Sequence, residues 1–387
     1  MDIESPKKGK IVSLSLAHLL NDWYMNYIQA LLPFLVLSGL GVSKGAFLIS
    51  AFTITSSLLQ PVFGYLVDRK NQRWMVYVGT IWMAVLISLV GLIQNYYLLV
   101  GVVALSGLGT AAFHPQASAM VSAVSGNKKG FFQALFTAGG NVGWALTPLM
   151  VVPFVQYYGL EMTPLFILPG VLCAILLWFS APRVSVKAKV PPLPLMSILH
   201  DSWFQLSKVV IIVAFRSLAY FGLITFLPLY LQTTNISLLA SSRLLFVMLF
   251  CGAVGGIVGG YLSDRFGGKT VIVGSLVISS PMFYFFLNTN GFLSYVLLAL
   301  AGATLLASFS VTVVVAQELI SKNAAMASGL MLGFGIGIGG IGVGLVGLLA
   351  EHQGIVFAIN LLICLPLLAG LFALSMKAKK RSVLSAS

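Results

Sequence analysis

Long apolar runs recur along the whole chain, separated by short polar breaks, with centres near residues 25, 55, 84, 110, 142, 172, 218, 251, 279, 305, 337 and 366. Each run holds about 20 residues or more, the length a helix needs to cross the hydrocarbon of a bilayer. The pattern predicts an all-α integral membrane protein with twelve transmembrane helices. No polar block is large enough to fold as a separate soluble domain. A basic, proline-rich stretch, APRVSVKAKVPPLPLMSILHD (181–201), divides six runs from six. The expected organisation is an N-terminal six-helix bundle over 1–181, a cytoplasmic linker over 182–203 and a C-terminal six-helix bundle over 204–387.

Composition agrees, and charge adds orientation. Hydrophobic residues make up 59% of 387 and charged residues 8%, against roughly a quarter charged in soluble domains. A net charge of +13 would suit nucleic acid, but its placement argues otherwise. With both termini cytoplasmic, 19 of the 22 Lys and Arg residues fall on the inner side; Lys44 and Arg243 fall outside and Arg216 lies within a helix. That asymmetry follows the positive-inside rule and implies a multi-pass protein of the inner (cytoplasmic) membrane with no nucleic-acid partner. The first run is too long for a cleavable leader. Cys173, Cys251 and Cys364 all lie inside apolar runs, so no disulfide framework, metal site or cofactor is expected.

The two halves echo each other. GYLVDR at 64–69 returns as GYLSDR at 260–265, LLPFL at 31–35 as FLPLY at 226–230, and Asn127 as Asn323, at offsets of 195 or 196 residues. A duplicated six-helix unit of this kind places a substrate site between its copies, near the membrane midplane. GYLVDRKNQR (64–73) and GYLSDRFGGK (260–269) resemble the loop motif that the major facilitator superfamily carries between helices 2 and 3 and between helices 8 and 9. Asn71 stands where the first copy of that motif would have glycine, a change Asn tolerates because it visits positive φ. GNVGWALTP (140–148) resembles, imperfectly, a helix-5 motif of that family's antiporters. HLLNDWY (18–24), FHPQAS (113–118), QALFTAGGNVG (133–143) and QELISKNAAMASGLMLGFGIGIGG (317–340) are similar to its fosmidomycin-resistance exporters. The resemblance implies a solute carrier working by alternating access, with drug-like substrates, phosphonate antibiotics among them.

Polar residues inside such helices mark candidate chemistry. His18, Asp22, Met25 and Gln29 recur at i, i+4, i+7 and i+11 and share one helix face, flanked by Asn21, Tyr24 and Asn26. Asp22 is expected to carry a coupled proton. His114 is a second candidate, because a histidine of pKa about 6.5 titrates readily and Pro115 beside it opens the helix backbone. Glu318 is a third, although its place four residues before Lys322 favours a gate contact with the loop around Arg265 and Lys269. Arg216, deep in its run, aligns with Asn21 through the repeat, so Asp22 and Arg216 are expected to face each other across a central cavity. Substrate contacts are assigned to His18, Asn21, Tyr24, Gln29, Asn141, Arg216 and Tyr220. Asn21 and the histidines could instead be hydrogen-bonding clasps between helices, and an Asp22–Arg216 pair could be a permanent salt bridge. Asp68, Arg69, Arg73, Asp264, Arg265 and Lys269 read as inner-gate charges.

Gly337, Gly339 and Gly342 spell GxGxxG, but a dinucleotide site needs a preceding strand; the run reads as close helix packing. The expected function is a proton-coupled antiporter, working as a monomer, that exports small organic solutes, anionic ones included. A proton-linked importer or a facilitator would use the same residues. An intramembrane enzyme is disfavoured, since no HExxH motif or recognisable nucleophile–base pair appears.

Overall fold

The computed structural model describes residues 6–69, 72–126, 129–183, 195–320, 331, 333 and 336–376, and among them there is no strand. The first crossing is α1 (Lys8–Met25) and α2 (Tyr27–Leu37), broken at Asn26. The second is α3 (Val42–Thr53), a π-turn (Ile54–Leu58) and α4 (Gln60–Arg69). The N-terminal half continues through α5 (Trp74–Ser88), α6 (Tyr96–Val124), α7 (Lys129–Tyr158) and α8 (Ile167–Ser180). The C-terminal half comprises α9 (Leu195–Thr233), α10 (Leu238–Phe266), α11 (Gly268–Leu287), α12 (Phe292–Leu319), α13 (Ile336–Gln353) and α14 (Ile355–Ala373).

Ten stretches of these helices are long and apolar enough to cross a membrane; α1 with α2, and α13, complete twelve passes. Helix α9 begins at Leu195, inside the stretch read as linker, whose residues 184–194 lie outside the described residues. Because the passes alternate, Lys7, Arg73, Arg265 and Lys269 share one end of the bundle, here called the basic end. Ser43, Lys44 and Glu351 lie at the other.

Turn chemistry fixes where helices start and stop. Asn95 and Ser237 accept the Leu98 and Ala240 N–H groups at 3.0 and 3.2 Å and cap α6 and α10. Gly267, at φ 88°, reverses the chain between α10 and α11 in a conformation that only glycine adopts without cost.

The repeat survives as a hydrogen bond. Arg73, at the start of α5, donates to the Trp178 carbonyl near the end of α8. Lys269, at the start of α11, donates to the Leu374 and Met376 carbonyls just beyond α14, each at 2.6 Å. Trp178 and Leu374 stand 196 residues apart, as do Arg73 and Lys269. Both cations sit where the carbonyl end of a helix favours positive charge. Expected as gate charges, both are engaged inside their own half in this structure.

The halves meet where α3 packs on α13 and α7 on α10. Gly340, Gly344 and Gly347 leave no room for a side chain against Thr53, Ser50 and Ala46 of α3. The Ser50 hydroxyl accepts the Gly344 N–H at 3.0 Å and contacts the Ile341 carbonyl at 3.0 Å. Gly339 and Gly342 fit with equal closeness against Ser217 and Leu218 of α9. The glycine run thus serves two interfaces at once, through small-residue contacts.

Candidate functional site

Between the halves lies a cavity of about 450 Å³. The first crossing presents His18, Asp22 and Met25 of α1 and Gln29 of α2 to it together. The second crossing adds Thr53, Ser56, Ser57 and Gln60, carried through the π-turn, a device that re-aims side chains and recurs at functional sites. The cavity continues toward the basic end, where Gln60, Ser118 and Gly256 line it. At the other end the Glu351 carboxylate accepts the Ser43 N–H at 3.1 Å and joins the halves.

The N-terminal wall carries an acid–base cluster. Asp22 Oδ1 lies 2.9 Å from His114 Nε2, and Asp22 Oδ2 lies 3.4 Å from His18 Nε2. His18 Nδ1 is 2.7 Å from the Phe136 carbonyl, which can only accept, so Nδ1 carries the hydrogen. The Thr110 hydroxyl gives its hydrogen to Asn21 Oδ1 and therefore accepts from His114 Nδ1 at 3.2 Å. Neutral His18 thus turns the lone pair of Nε2 toward Asp22 Oδ2, while a hydrogen on His114 Nε2 donates to Asp22 Oδ1. The cluster is therefore able to take up a cation between its nitrogens and oxygens, a single proton at the least. Gly140 makes the approach possible, since a methyl there would overlap the Asp22 carboxylate and the His18 ring. Gly139 and Gly143 bring α7 equally close to the Ser15 and Leu19 carbonyls of α1.

The C-terminal wall carries the opposite charge. Arg216 is 2% exposed, with Nη1 donating to the Thr312 hydroxyl at 3.3 Å and its guanidinium 4.9 Å from the centre of the Phe309 ring. Among the described residues no carboxylate pairs with it: the ion-pair partners of Asp22 are the two histidines. Asp22 and Arg216 thus line the same cavity without an ion pair between them in this structure. The repeat fixes the depth of Arg216 but not its separation from Asp22, and the histidines stand closer. Tyr220, one turn on, lies within electrostatic range of both charges. Trp144 of α7 approaches Tyr220 and Phe221 of α9 with ring centres 6.3 and 5.7 Å apart and gives the cavity an aromatic side.

Two assigned contacts lie elsewhere. Asn21 is fully buried and accepts from Thr110; Tyr24 is fully buried and donates to the Phe166 carbonyl. At about 100° per residue Asn21 lies to one side of the face that carries His18 and Asp22 and Tyr24 points away from it, and neither lines the cavity. Gln29, Asn141 and Tyr220 do line it. Asp68 and Arg69 end α4, Asp264 and Arg265 stand in the last turn of α10, and Glu318 is exposed in the last turn of α12, all toward the basic end. Sequence reasoning missed Gly140, the serine–threonine face of the second crossing and Glu351. The cluster ITSSLLQ (54–60), polar inside an apolar run, was the available signal for the second of these.

Comparison with known proteins agrees with this architecture. The family model of the Major Facilitator Superfamily matches residues 14–255 and 209–386. The fosmidomycin resistance protein of Escherichia coli K12 is 31% identical over 368 residues, covering 93% of this chain and 91% of that protein. The MFS-type transporter YfnC of Bacillus subtilis 168 is 31% identical over 379 residues, covering 92% and 90%. Among solved structures, a bacterial homologue of the human lysosomal transporter Spinster superposes with a TM-score of 0.76 at 16% identity, over 95% of this chain and 96% of that one. That likeness speaks for the fold. With a family model over most of its length and relatives at 31% identity, the chain belongs to the Major Facilitator Superfamily: it is a membrane-embedded transporter and not an enzyme.

Proposed function

We propose that this transporter is a proton-coupled antiporter that exports small organic solutes, anionic and drug-like ones among them, by alternating access. One observation carries the reading: a carboxylate–histidine cluster able to hold a proton and a buried guanidinium that has no carboxylate partner among the described residues face the same cavity of about 450 Å³. Arg216 offers forked donors to an anionic group, and Trp144, Tyr220 and Phe221 offer apolar area to the rest of the solute. Donor groups of the solute take the place of the proton between Asp22 and the histidines, so solute and proton exclude each other. Relatives named for fosmidomycin resistance and multidrug resistance support export of antibiotics.

With the basic end cytoplasmic, as the positive-inside rule favours, the cavity extends inward and the Glu351–Ser43 contact closes the outer end. Asp68, Arg69, Asp264, Arg265 and Glu318 then lie at the inner gate. The protein works as a monomer in the cytoplasmic membrane, each six-helix half rocking on the other.

The test is proton movement by purified protein in liposomes as candidate solutes are added. Exchange requires protons and solute to move in opposite directions. Movement in the same direction would make this an importer of the symport type, and solute flux without protons would make it a facilitator.

A further inference from the structure

We propose that His18, Asp22 and His114 form a binding site for a divalent transition-metal ion that enters from the cavity, as an alternative occupant to the proton. One ligand atom from each residue lies within 4.8 Å of the others. The separation of His18 Nε2 and Asp22 Oδ2, 3.4 Å, is long for a charge-assisted hydrogen bond. It matches the roughly 3.3 Å between two ligands on a tetrahedral metal whose bonds are about 2.0–2.1 Å long.

The surroundings are those of a metal site. Ligating histidines anchor the second ring nitrogen on a carbonyl or another polar group, which fixes the tautomer and aims the first nitrogen at the metal. Here His18 Nδ1 is held by the Phe136 carbonyl at 2.7 Å and His114 Nδ1 by the Thr110 hydroxyl at 3.2 Å, itself held by Asn21. With the hydrogen of each ring on Nδ1, both Nε2 atoms present lone pairs to a metal. Three protein ligands leave a fourth position toward the cavity for water or a solute group, the arrangement of an open rather than a structural site. Two imidazoles and one carboxylate select zinc, cobalt or nickel over magnesium and calcium, which prefer all-oxygen shells, and over copper(I), which prefers sulfur. This inference does not rest on the transport reading, because binding is measured at equilibrium.

The experiment is a titration of tag-free, detergent-purified full-length protein with cobalt(II), followed by the visible absorption of the bound ion. Expected are one cobalt per chain, displacement by zinc but not by magnesium, affinity at least ~10-fold weaker in His114→Gln, and no saturable binding in Asp22→Asn. X-ray absorption on zinc-loaded wild-type protein reads the ligands directly and needs no variant; two imidazoles in the shell are expected. The proposal is overturned if the wild type shows no saturable cobalt binding, if Asp22→Asn binds as tightly as wild type, or if the zinc shell contains fewer than two imidazoles.

Discussion

At the rim of the bundle the two halves of this transporter do the same thing. Arg73 and Lys269, equivalent in the repeat, each tie the third helix of their half to the carbonyl end of the sixth. At the centre the halves do opposite things. The N-terminal wall presents a carboxylate between two histidines, and the C-terminal wall presents a guanidinium resting on Thr312 and Phe309. Where the task is to hold six helices together, the duplicated solution has stayed. Where a solute must be oriented, identical walls would be of little use, and charge and chemistry have diverged.

Substitutions can break this contrast, beginning with the strongest. Asp22→Asn should reduce solute-linked proton movement in liposomes to background and also weaken solute binding, because solute donors and the proton share this carboxylate. Unchanged proton movement would shift the coupling role to His114 or Glu318. Arg216→Gln should weaken equilibrium binding of anionic solutes by about 2 kcal/mol, roughly 30-fold, the scale of a hydrogen bond to a charged group. Neutral solutes should bind as before; an equal loss for both would make Arg216 a structural residue.

Gly140→Ala tests the closeness of α1 and α7. Forcing a methyl against Asp22 should cost about 1–3 kcal/mol, as overpacking does, visible as a lower melting temperature together with slower transport. A variant of full stability and full rate would mean that the two helices separate easily. At the rim, Arg73→Ala and Lys269→Ala should each cost about 1 kcal/mol in thermal unfolding. Because the two sites belong to different halves, their effects should add, and clearly unequal losses would deny that the rims are equivalent. Smallest of all, Glu351→Gln should modestly raise the labelling of a cysteine placed at Gln29 by a reagent supplied at the Glu351 end. No change would remove the Ser43 contact from the gate.

Much of the scaffold was legible because lipid imposes simple rules. Runs of apolar residues gave the passes, and the cavity face of the first crossing could be read from the spacing of His18, Asp22, Met25 and Gln29. Polarity alone does not say which face of a helix a residue occupies, and Asn21 and Tyr24 were assigned to the cavity for that reason. Their hydrogen bonds to Thr110 and Phe166 depend on neighbours far away in the chain. The pairing of Asp22 with histidines rather than with Arg216 depends on how closely α1, α6 and α7 approach, and Gly140 sets part of that distance. Nothing in the spacing of a single helix encodes it. The π-turn was hidden for a related reason, since in a run apolar on most sides a shift of one residue in register leaves little mark on the pattern.

The glycine strip of α13 bears on how the rate of such a carrier responds to temperature. Ordinary helix interfaces interlock through side chains that must leave one set of rotamers and settle into another whenever the helices slide. Along Gly340, Gly344 and Gly347 the neighbouring helix rests on bare backbone, and only the Thr53, Ser50 and Phe47 side chains of α3 have rotamers to exchange. Movement across that seam then draws its activation enthalpy mainly from the Ser50 hydrogen bonds to Gly344 and Ile341, whereas contacts interlocked by side chains, such as the aromatic side formed by Trp144 and Phe221, add the cost of rotamer exchange.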